Sequence, residues 1–299
     1  QPHFTARRIE QLRATVERRV GEAISRLEGR DEIELVSDFA YPLPVEVFCE
    51  MLGFPDEAGP RFRDWTAAVA RTLDLVISED EYVRCQALTF EMEEYLASMV
   101  ERKRREPADD ILSNLVETAA EHGVGDGELV AQLVTLYVAG HEPTTALIGN
   151  GVAALLAHPG ELAQLQEDPS LVAGAMAELL RYDGPNQFVR RIAVETIDLD
   201  GRRIEAGDVI YVCVGAANHD PAHWGDDADA LRVRRPDAAQ HLQFGTGAHH
   251  CLGSHLARRQ AEGALTALLR RFRIEAAGPV TWAGRSTLRS VAEVPLRLS

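Results

Sequence analysis

Ten residues restrict this chain more than any other stretch: Phe244-Gly245-Thr246-Gly247-Ala248-His249-His250-Cys251-Leu252-Gly253, running straight into a helical segment over 254–272. Three glycines allow left-handed turns and let the backbone approach a flat ligand closely. A helix N-terminus, with unpaired N–H groups and the positive end of its dipole, favours a thiolate over a thiol. The stretch therefore reads as a thiolate presented at the bottom of a pocket. Taken alone, a single cysteine is more often a small buried hydrophobe. A zinc site made from His249, His250, Cys251 and His255 fails on pattern, because adjacent residues rarely reach one tetrahedral ion and no distant ligand pair accompanies them.

The whole loop resembles the cysteine-ligand loop of the cytochrome P450 family, Phe-Gly-x-Gly-x-His-x-Cys-x-Gly, with every fixed position filled. The resemblance implies haem b (iron protoporphyrin IX) as cofactor and Cys251 as the axial iron ligand, a thiolate of the kind that favours O–O cleavage. It further implies that His249 contacts a haem propionate and that the Phe244 ring packs beside the sulfur. Gly245, Gly247 and Gly253 complete this cofactor-binding loop.

Length and composition are compatible with such a protein. The 299 residues, 45% of them hydrophobic, allow a large core in one or two domains, and a net charge of −16 makes nucleic acid an unsuitable partner. No apolar window of about eighteen residues occurs, and Gln1-Pro2-His3-Phe4 does not begin a leader, so a cytoplasmic chain with no membrane span is expected. The scattered cysteines Cys49, Cys85, Cys213 and Cys251 suit a reducing compartment.

Apolar periodicity predicts helices over 5–29, 45–52, 60–78 and 79–105, a short one opening at Asp109, and another over 171–181, with 32–36 as a linker. This order resembles the family's middle helices. The opening Phe4-Thr5-Ala6-Arg7-Arg8-Ile9-Glu10 is similar to a segment normally found well inside the chain. The resemblance then implies that the first quarter of a typical member is absent, a part that covers one haem edge and forms much of the substrate-access region.

Residues 128–156 form the longest apolar run, interrupted at Ala139-Gly140-His141-Glu142-Pro143-Thr144-Thr145. Pro143 removes one backbone bond and frees the Ala139 carbonyl, which predicts a kink or an opened groove; an ordinary kinked core helix would show the same pattern. The stretch resembles the family's oxygen-binding groove, Ala-Gly-x-(Asp/Glu)-Thr. There, Ala139 and Gly140 would make room for O2 and Glu142 would deliver protons. The position of the hydroxyl is Pro143, and Thr144 lies one residue later, about 100° further round a regular helix. Three routes stay open: Thr144 takes over, a substrate hydroxyl or water completes the relay, or oxygen activation runs differently. Peroxide-using members also lack this threonine, but they lack the acid as well, and Glu142 is present here.

Glu178 and Arg181 lie three apart on one helix face and can pair, with Leu179 and Leu180 between them favouring burial over a surface bridge. They resemble the family's Glu-x-x-Arg pair, and Arg235 stands where its arginine partner belongs. Their implied role is structural, holding the cysteine loop. After Asp183-Gly184-Pro185 the period changes to two, predicting short strands over 188–194, 196–199, 203–204 and 209–214 with turns at Asp200-Gly201 and Ala206-Gly207. Arg191 matches the family arginine that pairs with a haem propionate, for which a guanidinium fork is suited.

The expected fold class is mainly α with small β-sheets (α+β): one N-terminally truncated P450-like domain over 1–299, with a β region near 186–215 and a C-terminal β hairpin near 285–299. The implied function is a haem-thiolate monooxygenase or oxidase acting on a small organic substrate, such as a natural-product intermediate. Electrons would come from a ferredoxin-type donor docking near Arg258 and Arg259. The alternatives are a non-catalytic helper of another enzyme, whose kind usually loses the cysteine and histidine retained here, a peroxide-driven enzyme, and a fragment whose missing segment lies elsewhere.

Overall fold

Alternation of apolar stripes with capping signals sets the order of elements in the computed structural model, which describes residues 12–55 and 59–299. Helix α1 is Arg13–Ser25, and the predicted start of that helix, with the segment Phe4 to Glu10, lies outside the described residues. Strand β1, Glu32–Glu34, and a π-helical turn, Val36–Ala40, lead into α2, Pro42–Leu52, which stops at Gly53 in a left-handed conformation (φ 68°). Helix α3 is Gly59–Arg71 and α4 is Glu79–Arg105. The sequence extends α3 to residue 78, but Ser78 serves instead as the N-cap of α4, its hydroxyl accepting from the Glu81 N–H at 3.3 Å. Helix α5, Ile111–Glu121, is capped by Asp110, and α6 is Asp126–Ala157.

Helix α7, Pro159–Glu167, is not among the helices predicted from the sequence; proline at its first position needs no N–H and is tolerated there. Helix α8, Val172–Asp183, precedes strands β2 (Phe188–Ile192), β3 (Ile197–Leu199), β4 (Arg202–Ile204) and β5 (Val209–Cys213). Short helices α9, Val214–Ala217, and α10, Pro221–Trp224, lead towards the cysteine loop, and α11, Ser254–Arg271, follows it. Strands β6 (Ile274–Ala276), β7 (Thr281–Trp282), β8 (Val291–Glu293) and β9 (Pro295–Leu298) end the chain.

Helix α6 is the axis, packed against α2, α3, α4, α8 and α11. It is continuous through Pro143, where the sequence predicts an interruption. The ring holds φ at about the helical value, so the only loss is the N–H that would have reached Ala139. Two side chains tie the same turn together: His141 Nδ1 donates to the Tyr137 carbonyl at 2.9 Å and Thr144 Oγ1 to the Gly140 carbonyl at 3.1 Å. Gly140 is required by packing, since a Cβ there would fall inside the Phe48 ring of α2. One turn earlier, Tyr137 stacks on Phe62 of α3 with ring centroids 4.0 Å apart, and Tyr95 of α4 meets Phe62 edge-on.

The 32–36 linker expected from the sequence contains β1. It pairs antiparallel with β9, Ile33 opposite Leu296, and β6 pairs with the other edge of β9, giving the order β1-β9-β6. The expected hairpin over 285–299 does not form as a unit: β8 pairs with β7, and β9 pairs with β1 and β6. Ile33 of β1, Ile274 of β6 and Leu296 of β9 are buried in the core. Strands β2 and β5 pair antiparallel, as do β3 and β4, whose turn places Asp200 and Gly201 at positive φ.

Asn150 pins these parts to α6. Fully buried, it donates to the carbonyls of Asp183 (3.1 Å) and Arg289 (3.0 Å) and accepts from the Val291 N–H (3.0 Å). Asn150→Ala leaves three buried backbone groups unpaired and is expected to lower stability by about 2–3 kcal/mol. Urea unfolding checks this, and an unchanged midpoint would show the three bonds to be dispensable.

Candidate functional site

The cysteine loop folds as its glycines require. Gly245 and Gly247 sit at φ 67° and 66°, and a 3-10 turn, Gly247–His249, aims the chain into α11. The Cys251 N–H donates to the Phe244 carbonyl at 2.8 Å, which closes the loop on itself. The backbone N–H groups of Gly253 and Ser254 are directed at the Cys251 sulfur. Burial nonetheless pushes the thiol up, and those two N–H groups only partly offset it.

Cys251, Phe244, Gly245, His249 and Gly253 line a cavity of about 1020 Å³, together with Ala139, Gly140, Pro143 and Thr144 of α6. Arg191 lines it from β2, where it stands opposite Ile210 of β5. Two segments more than a hundred residues apart in the chain thus face one space. Gly247 is not among the lining residues and sits in the turn at positive φ. The Arg191 guanidinium is exposed and donates to the Arg190 carbonyl at 2.8 Å; His249 is also exposed at the cavity margin. The Phe244 ring lies 5.6 Å from that of His241 and 5.4 Å from the Arg258 guanidinium, so Arg258 is a stacked, half-buried cation rather than a free surface charge.

Glu142 does not line the cavity. Its Oε1 accepts from Thr66 Oγ1 at 3.2 Å and lies 3.7 Å from His141 Nε2, while Oε2 is 3.5 Å from Arg285 Nη1. Burial would raise its pKa, but His141, Arg285 and Thr66 together outweigh burial and hold the carboxyl below its usual range. The sequence gives no sign of Thr66 or Arg285, which arrive from α3 and from the β7–β8 loop. His141 adjoins Glu142 in sequence but carries no motif of its own. Thr144 is 1% exposed and faces the cavity, with its hydroxyl hydrogen directed to the Gly140 carbonyl.

Glu178, Arg181 and Arg235 come together in the core. The Glu178 carboxylate accepts from Arg181 Nε (2.7 Å) and Nη2 (2.9 Å), from Arg235 Nε (3.1 Å) and from the Arg232 N–H (2.9 Å). Arg181 Nη1 donates to the carbonyls of Asn218 and Ala228, and Asn218 Oδ1 accepts from the Leu242 N–H at 2.9 Å. This is a continuous path from α8 to the residue two before Phe244. Among the described residues no cluster of three or more His, Cys, Asp or Glu side chains is arranged to hold a metal ion. No helix among them is long and apolar enough to cross a membrane.

The residues fit haem. An apolar cavity roomy enough for a flat ligand, a sulfur met by two backbone N–H groups, and an arginine and a histidine at the rim suited to carboxylates are the features such a group needs. Fold and cavity together define a haem-dependent oxidoreductase of the monooxygenase class. A family model described as Cytochrome P450 matches residues 31–281. Cytochrome P450 107B1 of Saccharopolyspora erythraea is 40% identical over 303 residues, spanning 98% of this chain and 72% of that protein. The polyketide biosynthesis cytochrome P450 PksS of Bacillus subtilis (strain 168) is 36% identical, spanning 99% and 73%. The crystal structure of P450BioI in complex with hexadec-9Z-enoic acid ligated acyl carrier protein is similar with a TM-score of 0.93 at 32% identity, covering 99% of this chain and 77% of that one. The chain belongs to the cytochrome P450 family.

Glu178→Ala would strand two buried arginines and is expected to cost about 3–5 kcal/mol. Chemical unfolding and the haem content of the purified variant check this; a stable, fully loaded variant would show that the loop does not depend on the network.

Proposed function

We propose that this chain is a haem-thiolate monooxygenase in which Cys251 holds haem b, Arg191 and His249 bind its propionates, and Glu142 and Thr144 handle protons. The observation that carries this reading is that Cys251 and the Ala139–Thr144 turn line one cavity. When bound, haem supplies one-electron chemistry and the activation of O2. The protein's part is to position, exclude water and move protons.

Ala139 and Gly140 keep their stretch of the cavity wall free of bulk, and the Pro143 ring occupies the wall where a hydroxyl is usual. The cavity face of Thr144 supports its taking over that role, since its oxygen can still accept a hydrogen bond from a water or substrate there. Glu142, held ionised on the other side of α6, must turn from Thr66, His141 and Arg285 to hand a proton across.

Leu133, Leu136, Val189 and Val212 line the cavity apolarly, with Gln132, Thr135 and Asn186 as scattered polar points. That lining suits an extended, mostly apolar natural product, of the polyketide or fatty-acyl kind that the names of PksS and the P450BioI complex indicate for those proteins. Arg258 and Arg259 near the start of α11 suit a ferredoxin-type electron donor, although Glu262 beside them offsets part of their charge.

A panel of polyketide lactones and fatty acids, turned over under ¹⁸O2, tests the class: one labelled oxygen per product is expected, and product labelled from water would contradict it. Thr144→Ala is expected to slow product formation by about a hundredfold. If Thr144→Ala is harmless while Pro143→Thr raises product formed per electron pair, Thr144 is not the proton-handling hydroxyl.

A further inference from the structure

The connection between α3 and α4, residues 72–78, is attached to the molecule in an unusual way. Leu73, Leu75 and Val76 are 61%, 45% and 80% exposed, so apolar burial contributes little to holding it. The Asp74 carboxylate is the centre of the attachment, and Arg71 Nη1 adds a bond to the Val76 carbonyl at 3.1 Å. Asp74, whose side chain is 1% exposed, accepts through Oδ1 from the Ser286 N–H (2.9 Å), the Ser286 hydroxyl (3.1 Å) and the Thr287 N–H (3.0 Å), and through Oδ2 from Arg71 Nη1 (2.7 Å). The contact is reciprocal: the Leu75 N–H donates to Ser286 Oγ at 3.0 Å, and the Thr287 hydroxyl donates to the Leu73 carbonyl at 2.8 Å.

The residue beside this clasp is Arg285. Its guanidinium is turned inward, with Nη1 3.5 Å from Glu142 Oε2, buried and without a hydrogen-bond partner, and Nη2 3.4 Å from the Ala67 carbonyl of α3. Neighbouring Cα atoms are about 3.8 Å apart and joined rigidly through one peptide plane. A displacement of the clasp therefore reaches the guanidinium directly. An ion pair at 3.5 Å with no hydrogen bond is a contact that a small shift breaks. The other groups facing Glu142 are His141 on its own helix, Thr66 on α3 and, more distantly, Tyr41 ahead of α2, which in turn faces Arg63 and Asp64. Arg285 is the one of Glu142's partners whose chain neighbours, Ser286 and Thr287, are hydrogen-bonded to Asp74, and it also reaches the Ala67 carbonyl of α3.

We propose that Asp74 is a positioning residue for Glu142: by fixing Ser286 and Thr287 it sets where Arg285 stands, so that movement of the exposed α3–α4 connection and release of the buried carboxylate are one event. The functional weight of this coupling rests on Glu142 being the proton-handling acid. The clasp joins the surface loop that any displacement of α3 and α4 must move to the residue that must turn for a proton to cross α6. Opening at residues 72–78 frees Glu142, and closure holds it.

The test reads the Glu142 carboxyl itself, by infrared difference spectroscopy of the haem-loaded protein against Glu142→Gln over a pH series, in a double-mutant cycle. Arg285→Met removes a cation and is expected to raise the titration midpoint by about one pH unit. Asp74→Asn, and the milder Ser286→Ala should Asp74→Asn fail to fold, are expected to raise it in the same direction and to have no further effect in the Arg285→Met background. A midpoint left at the wild-type value by both variants, or a shift that persists undiminished without Arg285, overturns the proposal. Because the midpoint reports the Arg285 contact and not turnover, Glu142→Gln with full product formation would instead remove the proton-handling role and leave the clasp standing.

Discussion

A carboxylate shut away from water holds this structure together. Glu178 is tolerated in the core only because two guanidinium groups and a backbone N–H surround it, and each guanidinium in turn needs carbonyls to satisfy its remaining donors. Those carbonyls belong to Asn218, Asp227, Ala228 and Ala230, in irregular chain that has no ladder of its own. The network thereby gives fixed shape to the segment between α9 and the cysteine loop, and Asn218 passes that shape on to Leu242. A thiol can be presented reproducibly at the end of a loop only if the loop is anchored in this manner. The charged core is a scaffold for chemistry performed elsewhere.

The second constraint is that α6 must be both a core helix and a wall. Its buried face packs on neighbouring helices, among them α2, α3, α4, α8 and α11, and another part of its surface lines the cavity. Small residues and proline reconcile the two demands: Gly140 accepts the Phe48 ring on one side, while Ala139 and Pro143 leave the other side low. The carboxylate of Glu142 is stored on the far side, stabilised by groups from α3 and the β7–β8 loop, so the acid is kept charged without placing that charge in an apolar space.

What the sequence discloses follows from where each cause lies. The turn glycines of the cysteine loop, the periodicity of α4 and α6 and the β3–β4 turn are local, and each is found where the residues place it. The path from Glu178 to Arg235 was legible because family resemblance supplied the distant partner. Strand β1 was not, since three residues carry no period and its partner β9 lies at the other end of the chain. The hairpin expected near 285–299 failed for the same reason, its alternation being satisfied by β7, β1 and β6. The anchors of Glu142 were invisible because Thr66 and Arg285 sit in stretches with no motif.

The central claim is that Cys251 is the protein's sulfur ligand to haem, and its most direct test is the absorption spectrum of the purified, haem-loaded protein reduced with dithionite and exposed to carbon monoxide, recorded beside Cys251→Ser. A red-shifted Soret band of the thiolate type is expected in the wild-type protein, and its loss in the variant. A wild-type protein that binds haem without that band, or a Cys251→Ser variant that keeps it, would contradict the account.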